Sequence, residues 1–484
     1  MLNFNTNMKK CIGVFLGCAA IAYSQAQEPL SLSQAIERGL QNNLDVQIQK
    51  LEMDIATRNN AWGQAGALPV VNFNTNQNNN ITYRRPANPF AVPGQNIGNT
   101  VNAQLDVQFV LFDGFSIRLT KRRLEQLEQL SYGNATLAIE RVIQSIILGY
   151  YTALLEKQRM EVRKQVMDFS RERLAYVQLR KELGGAITFD VLQEQNNYFT
   201  DSTNYLLQRQ VYINALRNLN LLLNEPLDKE FILTDSLTFT DEGYALDDLR
   251  RKMSSTNTNL RNQYINQELM RINTGLAMAE RLPSLIMNLG ANGSLDWLNA
   301  NFGARIGPPQ VIGYVNGDAN TPVISNQNSV VQVRQTNDGY SYGAYGNFTL
   351  RYTLFNGGQF NRNIENARLR EQIGKLSIDQ LKLSLENELL ITYDNYNLLR
   401  QVAAIARVKL QAAELNLKLA NERYKNGALS AIDLRIVQEN FQNAALENYQ
   451  AIYSVLARQT DLIRLTGGLV DEYNARPHEA NETK

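Results

Sequence analysis

The sequence predicts a mainly α protein with a transmembrane β-barrel, built from two internal repeats of one helix–strand–strand–long helix–long helix unit. Three observations lead there. The two halves of the chain repeat in register, two long stretches contain no proline, and four segments alternate apolar and polar residues with period two.

At the N-terminus, Lys9 and Lys10 precede an apolar run from Cys11 to Tyr23, with small residues at Ala22, Ser24 and Ala26. This is the layout of a cleaved export signal over residues 1–26, with the mature chain starting near Gln25 or Gln27. Phe15, Leu16, Gly17 and Cys18 also loosely imitate a lipidation box, a second route that stays open. Against it, the apolar run continues through Ala19, Ala20, Ile21 and Ala22, where a lipidated Cys should close it. Both cysteines lie in the signal, so the mature chain is expected to hold no disulfide or thiolate metal site. The single histidine, His478, stands in a polar tail. Without His or Cys the common catalytic and metal constellations cannot be assembled, so no enzyme activity, cofactor or metal is expected. A net charge of +1 gives no electrostatic reason to expect nucleic acid. Beyond the signal no apolar stretch is long enough for a membrane helix, so a membrane role must use strands.

The repeat register follows by subtraction. Leu111, Phe112, Asp113 and Gly114 recur as Leu354, Phe355, Asn356 and Gly357, an offset of 243 (354 − 111). Gly184 and Asp190 recur as Gly427 and Asp433 at the same offset of 243 (427 − 184). Upstream, Leu68 and Pro69 recur as Leu282 and Pro283, offset 214 (282 − 68), the difference being an insertion between residues 299 and 340. The first repeat covers 27–225, with strands at 69–80 and 101–111 and long helices at 116–183 and 189–224. A linker follows at 226–249. The second repeat covers 250–468, with strands at 285–298 and 341–354 and helices at 360–426 and 432–466, before a polar tail at 469–484.

The strands are marked by Val101, Ala103, Leu105, Val107, Phe109 and Leu111 set against Asn102, Gln104, Asp106 and Gln108, and by Tyr342, Ala344, Phe348, Leu350, Tyr352 and Leu354 in the second repeat. Each is about ten residues long, the length of a tilted membrane strand. Alternation alone equally fits a half-buried soluble sheet. The flanking helices decide, because they leave every strand pair on one side and put the Asn-, Gly- and Pro-rich loops 81–100 and 299–340 on the other. Four strands cannot close alone and open edges are not viable in lipid, so several copies must supply one barrel.

The helices are marked by absent proline: none of the eleven falls between residues 94 and 225 or between 323 and 476. Ser116 to Leu183 would span roughly 100 Å at about 1.5 Å per residue. Leu369, Leu376, Leu383 and Leu390 repeat every seven residues, and so do Ile378, Leu385, Thr392 and Leu399. The two seams lie on opposite flanks of one helix, which therefore wants a neighbour on each side, as in a bundle interior or a ring of helices. Leu434, Val437, Phe441 and Ala444 show the spacing of a coiled-coil partner.

This layout resembles the TolC family of outer-membrane efflux and secretion channels over Leu32 to Gly468. The resemblance rests on six short signals in order: Ala65, Ala67, Leu68, Pro69 and Ala279, Leu282, Pro283; the two Leu-Phe-Asp/Asn-Gly turns; and Gly184 with Asp190 and Gly427 with Asp433. It implies a homotrimer whose twelve strands form one outer-membrane barrel, continued by a periplasmic α-barrel tunnel of twelve helices. An equatorial girdle would come from Pro226 to Leu249 and the tail after Gly468. It further implies a passive exit duct for efflux or type I secretion, fed by an inner-membrane pump of RND or ABC type through a periplasmic adaptor. The alternative is an exported coiled-coil scaffold without a pore, which leaves the strand pairs unexplained.

The same resemblance implies a periplasmic gate at the hairpin tips. Tyr424 matches the family tyrosine that bonds an aspartate of a neighbouring hairpin, a role falling on Asp190, and Asp433 matches one member of an acidic ring. This chain departs from the family at Leu429 (arginine), Phe189 (threonine) and Ile436 (acid), so an apolar Leu429–Phe189 contact would replace one gate link. Gly184, Gly185, Ala186, Ile187, Gly427, Ala428 and Leu429 would form the adaptor contact. The same residues also read as helix ends: glycines for the left-handed position, Ser430 with Asp433 as a capping box, and Asp190 at a helix start.

Overall fold

The computed structural model describes residues 28–85, 87, 93–241, 243–306, 308–325 and 330–469. The signal segment with Cys11 and Cys18, and the tail from 470 with His478, lie outside the described residues. The first half runs β1 (Glu28–Leu30), α1 (Leu32–Asn42), α2 (Leu44–Asn59), β2 (Val70–Arg84), β3 (Gly94–Phe112), α3 (Ser116–Glu182) and α4 (Thr188–Leu223). The second runs β4 (Phe231–Leu233), α5 (Leu246–Thr256), α6 (Thr258–Ala279), β5 (Ser284–Ile306), β6 (Val311–Tyr314), β7 (Pro322–Ile324), β8 (Val330–Arg351), α7 (Gln359–Lys425) and α8 (Ala431–Leu465).

The duplication is written in side-chain hydrogen bonds. Asn43 separates α1 from α2, and its Oδ1 accepts from the Asp45 and Val46 amides at 2.9 and 3.3 Å while its Nδ2 donates to the Leu222 carbonyl at 2.9 Å. Asn257 separates α5 from α6 in the same way: Oδ1 accepts from the Leu260 amide and Nδ2 donates to the Leu465 carbonyl, both at 3.0 Å. The two asparagines are 214 apart (257 − 43) and the two carbonyls 243 apart (465 − 222), the offsets of the sequence motifs. An asparagine can cap the second helix and still reach a carbonyl at the end of α4 or α8, so one residue both breaks the helix and ties it down. The helix that begins each repeat is thus two helices. Past the strands, Asp113 Oδ2 accepts from the Ile117 amide at 2.8 Å and Asn356 Oδ1 from the Phe360 amide at 3.4 Å, capping α3 and α7. Gly114 and Gly357 supply the left-handed turn between the capping residue and the helix, at φ 70° and 66°.

Two compact units cut across the repeats. Among the described residues, one gathers those up to Ala56, Glu128–Gln267 and those from Gly374 on; the other gathers those of Thr57–Leu127 and Glu268–Ile373.

The second unit holds the sheet, in the order β2-β3-β5-β8, every pair antiparallel. Directly opposed residues share a face, so Phe73 with Leu105, Leu105 with Ala291 and Ala291 with Ala344 extend the apolar face across all four strands. The strands are longer than the expected 69–80, 101–111 and 285–298, and the fourth ends at Arg351 short of 354. Much of loops 81–100 and 299–340 is therefore ladder. Asparagine and glycine depress strand propensity but do not break an alternating register, and Gly98 leaves room for the Asn80 side chain across the pair. Leu111 sits at a bulge where the register shifts between Val110 and Phe112.

In the first unit two apolar cores form. One packs Leu30, Ile36, Ile143, Ile146, Tyr150, Leu154, Leu219 and Leu223; the other packs Leu249, Met253, Leu385, Leu389, Tyr396, Val455 and Leu462. β1 pairs in parallel with β4, and the Tyr150 hydroxyl donates within hydrogen-bond reach of both Asp235 Oδ2 (2.7 Å) and the Leu30 carbonyl (2.8 Å), anchoring that short sheet. Linker 226–249 thus contains β4 and the start of α5. On α7 the two seams separate: Ile378, Leu385 and Thr392 are buried, while Leu369, Leu376 and Leu383 are 51%, 68% and 74% exposed. One flank is used within the chain and the other stands open. Among the described residues no helix is long and apolar enough to cross a membrane.

Candidate functional site: the hairpin tips and a buried charge network

Both long hairpins turn by the same device. The Gly185 amide donates to the Arg180 carbonyl at 2.7 Å and the Gly184 amide to that of Lys181 at 3.0 Å, with Gly184 at φ 80°. At the other tip the Ala428 amide donates to Arg423 at 2.8 Å and the Gly427 amide to Tyr424 at 3.0 Å, with Gly427 at φ 73°. These paired bonds satisfy the last carbonyls of α3 and α7, and the left-handed φ calls for glycine.

Each following helix starts on an aspartate. Asp190 Oδ2 accepts from the Ile187 amide at 3.2 Å, and because Ile187 has no side-chain acceptor the capping is one-sided. Ser430 Oγ accepts from the Asp433 amide at 3.1 Å and donates to Asp433 Oδ2 at 2.7 Å. The expected capping box is therefore half formed, the carboxylate holding the serine hydroxyl in place of the serine amide. Ile187, Phe189, Ile432 and Ile436 are exposed, Leu429 and Ala186 half-buried, and Asp433 exposed. Tyr424 packs edge-on against Tyr176, ring centroids 5.9 Å apart, beside a cleft of about 190 Å³ lined by Phe169, Arg173, Asn421 and Gln438. Burial, with Glu194 nearby, pushes the Tyr424 phenol above its ordinary range and keeps it a neutral donor. Within the chain no described hydrogen bond joins Tyr424 to Asp190, whose carboxylate holds the start of α4.

Beside this cleft lies a constellation that sequence inspection passed over. Arg173 on α3, 5% exposed, donates from Nε to Glu194 Oε2 on α4 at 3.0 Å, from Nη1 to Gln438 Oε1 on α8, and from Nη2 to Ser170 Oγ at 3.4 Å. The Ser170 hydroxyl donates to Asp201 Oδ2 on α4, and Arg435 on α8 grips Asp201 through Nη1 at 2.5 Å and Nη2 at 3.0 Å. Glu194, Asp201, Ser170 and Gln438 are all at least 97% buried. Two arginines thus meet two carboxylates across three helices, each charge paired and hydrogen-bonded, as buried charges require. A signal existed. Val162, Val166, Ser170, Arg173 and Val177 follow the three-four spacing of a buried helix stripe, with Arg173 where an apolar residue would be expected. Glu194 and Asp201 lie seven apart on α4, on one face.

The fold and the tips together define a class: a four-stranded sheet with one apolar face, long helical hairpins with glycine-turned tips, and an internal duplication linking them. Residues 249–468 match the family model described as outer membrane efflux protein. That match spans the second repeat and agrees with the TolC-type outer-membrane channels that the motifs of the chain resemble. Among solved structures it is similar to the Campylobacter jejuni CmeC outer membrane channel, with 17% identity over 93% of this chain and 88% of that one and a TM-score of 0.65. It is also similar to the outer membrane protein VceC of Vibrio cholerae, with 14% identity, 90% and 96% coverage and a TM-score of 0.65. The open state of the Neisseria gonorrhoeae MtrE outer membrane channel gives 16% identity, 90% and 89% coverage and a TM-score of 0.61. At such identities the likeness concerns the fold. The comparison with curated proteins returned no match.

Proposed function

We propose that this protein is the outer-membrane channel subunit of a tripartite efflux or type I secretion system, a passive exit duct that works as a homotrimer. The single observation that carries this is the sheet: its apolar face is exposed on all four strands, and its outer strands β2 and β8 each have a free edge among the described residues. Such edges are untenable in lipid unless a neighbouring copy pairs with them. The exposed seam of α7 supports the same reading, and so do Leu192, Phe199 and Leu206, which lie seven apart on α4 and are 58%, 56% and 59% exposed. The energy for transport would come from an inner-membrane RND or ABC pump, joined through a periplasmic adaptor that docks on the apolar hairpin tips around Ile187, Ala428 and Leu429. In the assembled tube, Tyr424, Asp190 and Asp433, with Leu429 against Phe189, would close the periplasmic end between copies. Trypsin added to whole cells tests the orientation. Cleavage at Arg84 or Arg85 fits loops outside the outer membrane, whereas full protection would favour a periplasmic scaffold.

A further inference from the structure

Opposite the apolar face, every second side chain of the sheet builds a polar one. Asn72 with Asp106, Asn74 with Gln104, Asn292 with Gln104, and Thr100 with Asp296 are direct cross-strand partners on this face. Its positions from Asn72 to Thr82, Asn96 to Val110, Ile286 to Leu298 and Asn337 to Thr349 include no lysine or arginine, and two carboxylates, Asp106 on β3 and Asp296 on β5. Arg84 and Arg351 stand on this face only at its opposite ends.

Both carboxylates are held by neutral groups. Asp106 accepts from the Tyr345 hydroxyl and from Gln104 Nε2 at 2.8 Å. Asp296 accepts from the Thr100 hydroxyl at 2.8 Å and the Ser294 hydroxyl at 2.9 Å. Tyr345 reaches Asp106 by lying across Gly290 on the strand between them, where a Cβ would come 2.4 Å from the phenol. Three strands are thus shaped to place a hydroxyl on one carboxylate. Neutral donors orient a carboxylate without cancelling its charge, so each copy presents two fixed, uncompensated negative charges on a face otherwise made of amides, hydroxyls, glycines and a few apolar residues.

We propose that this face lines the pore and that Asp106 and Asp296 make the barrel lumen prefer cations, concentrating them and repelling anions. The inference rests on the channel reading above and adds selectivity determinants inside the barrel, apart from the acidic position at the hairpin tips. The test is the cation-over-anion permeability ratio of the purified full-length protein in planar bilayers under a potassium chloride gradient. The D106N/D296N variant, isosteric and able to keep both acceptor bonds at 106, where the donors share one oxygen, and one of the two at 296, is expected to lower the ratio by about threefold or more, and N76D on the same face to raise it. Asn76 meets Asn102 across the pair, so N76D tests the face even if the double variant fails to insert. An unchanged ratio in both variants would overturn the proposal. A wild-type protein that never conducts would instead remove the channel reading on which it stands.

Discussion

Replacing Arg173 with methionine should loosen the junction of α3, α4 and α8 far more than its single position suggests. The guanidinium is 5% exposed and supplies the ion pair to Glu194, itself 3% exposed. Without it the Glu194 carboxylate keeps only the long 3.4 Å contact from Asn197 Nδ2, and Gln438 loses the donor to its buried oxygen. Breaking a buried pair from one side costs about 3–5 kcal/mol, because the orphaned charge stays desolvated. At about 1.4 kcal/mol per tenfold, local opening should rise by roughly two to three and a half powers of ten. Hydrogen exchange of the detergent-purified protein reads this directly, as faster exchange of amides in α4 near Glu194 and in α8 near Gln438, with those of the apolar core around Tyr150 and Leu219 unchanged. The double variant R173M/E194L removes both charges and should recover most of the protection, since an apolar pair of similar volume is close to neutral. Unchanged exchange in R173M, or a double variant as open as the single one, would refute a charge network that joins the three helices.

Three further outcomes follow from the same geometry. Leu376→Asp with Leu383→Asp, on the exposed seam of α7, should leave each chain folded but shift the detergent-purified protein from trimer to monomer by native mass spectrometry, since both side chains are open within one chain. Glu28 is hydrogen-bonded first by Arg38 and then by Lys229, which holds its carboxyl at about 2, below its usual 4.5. A depressed folded pKa means that the stabilisation is whole above about 4.5 and fades as pH falls towards 2. Glu28→Gln should therefore flatten the acid limb of a melting-temperature profile in that window while lowering the neutral plateau. Leu429→Asp should raise the open probability of single channels by placing a charge where the proposed apolar contact with Phe189 closes the tip; unchanged gating would remove that contact from the mechanism.

Much of this fold was legible because duplication writes each landmark twice. The glycines at 184 and 427 were readable as residues with one backbone use, Asp113 and Asn356 marked the repeated strand-to-helix turn without announcing their capping role, and the helix ends lie within a residue of the expected ones. The strands were harder. Asn96, Gly98 and Asn99 look like loop residues, yet ladder bonds to β2 hold them extended, a tertiary constraint with no local signature. On α7 both heptad seams were visible, but which one faces the chain's own core depends on partners far away in sequence. The charge network escaped because Arg173, Glu194 and Asp201 are ordinary surface residue types; only their placement on buried stripes, seen together, marks them as interior. At the tips, the capping roles of Gly184, Gly427, Asp190 and Ser430 are present within one chain, whereas a gate between copies is a property of the assembly.

The most direct measurement of the central claim is the conductance of the detergent-purified protein in a planar bilayer, with its oligomer mass recorded on the same sample. A trimer that inserts and gives discrete, cation-preferring steps is the expected result. A stable monomer that never conducts would contradict the channel assignment.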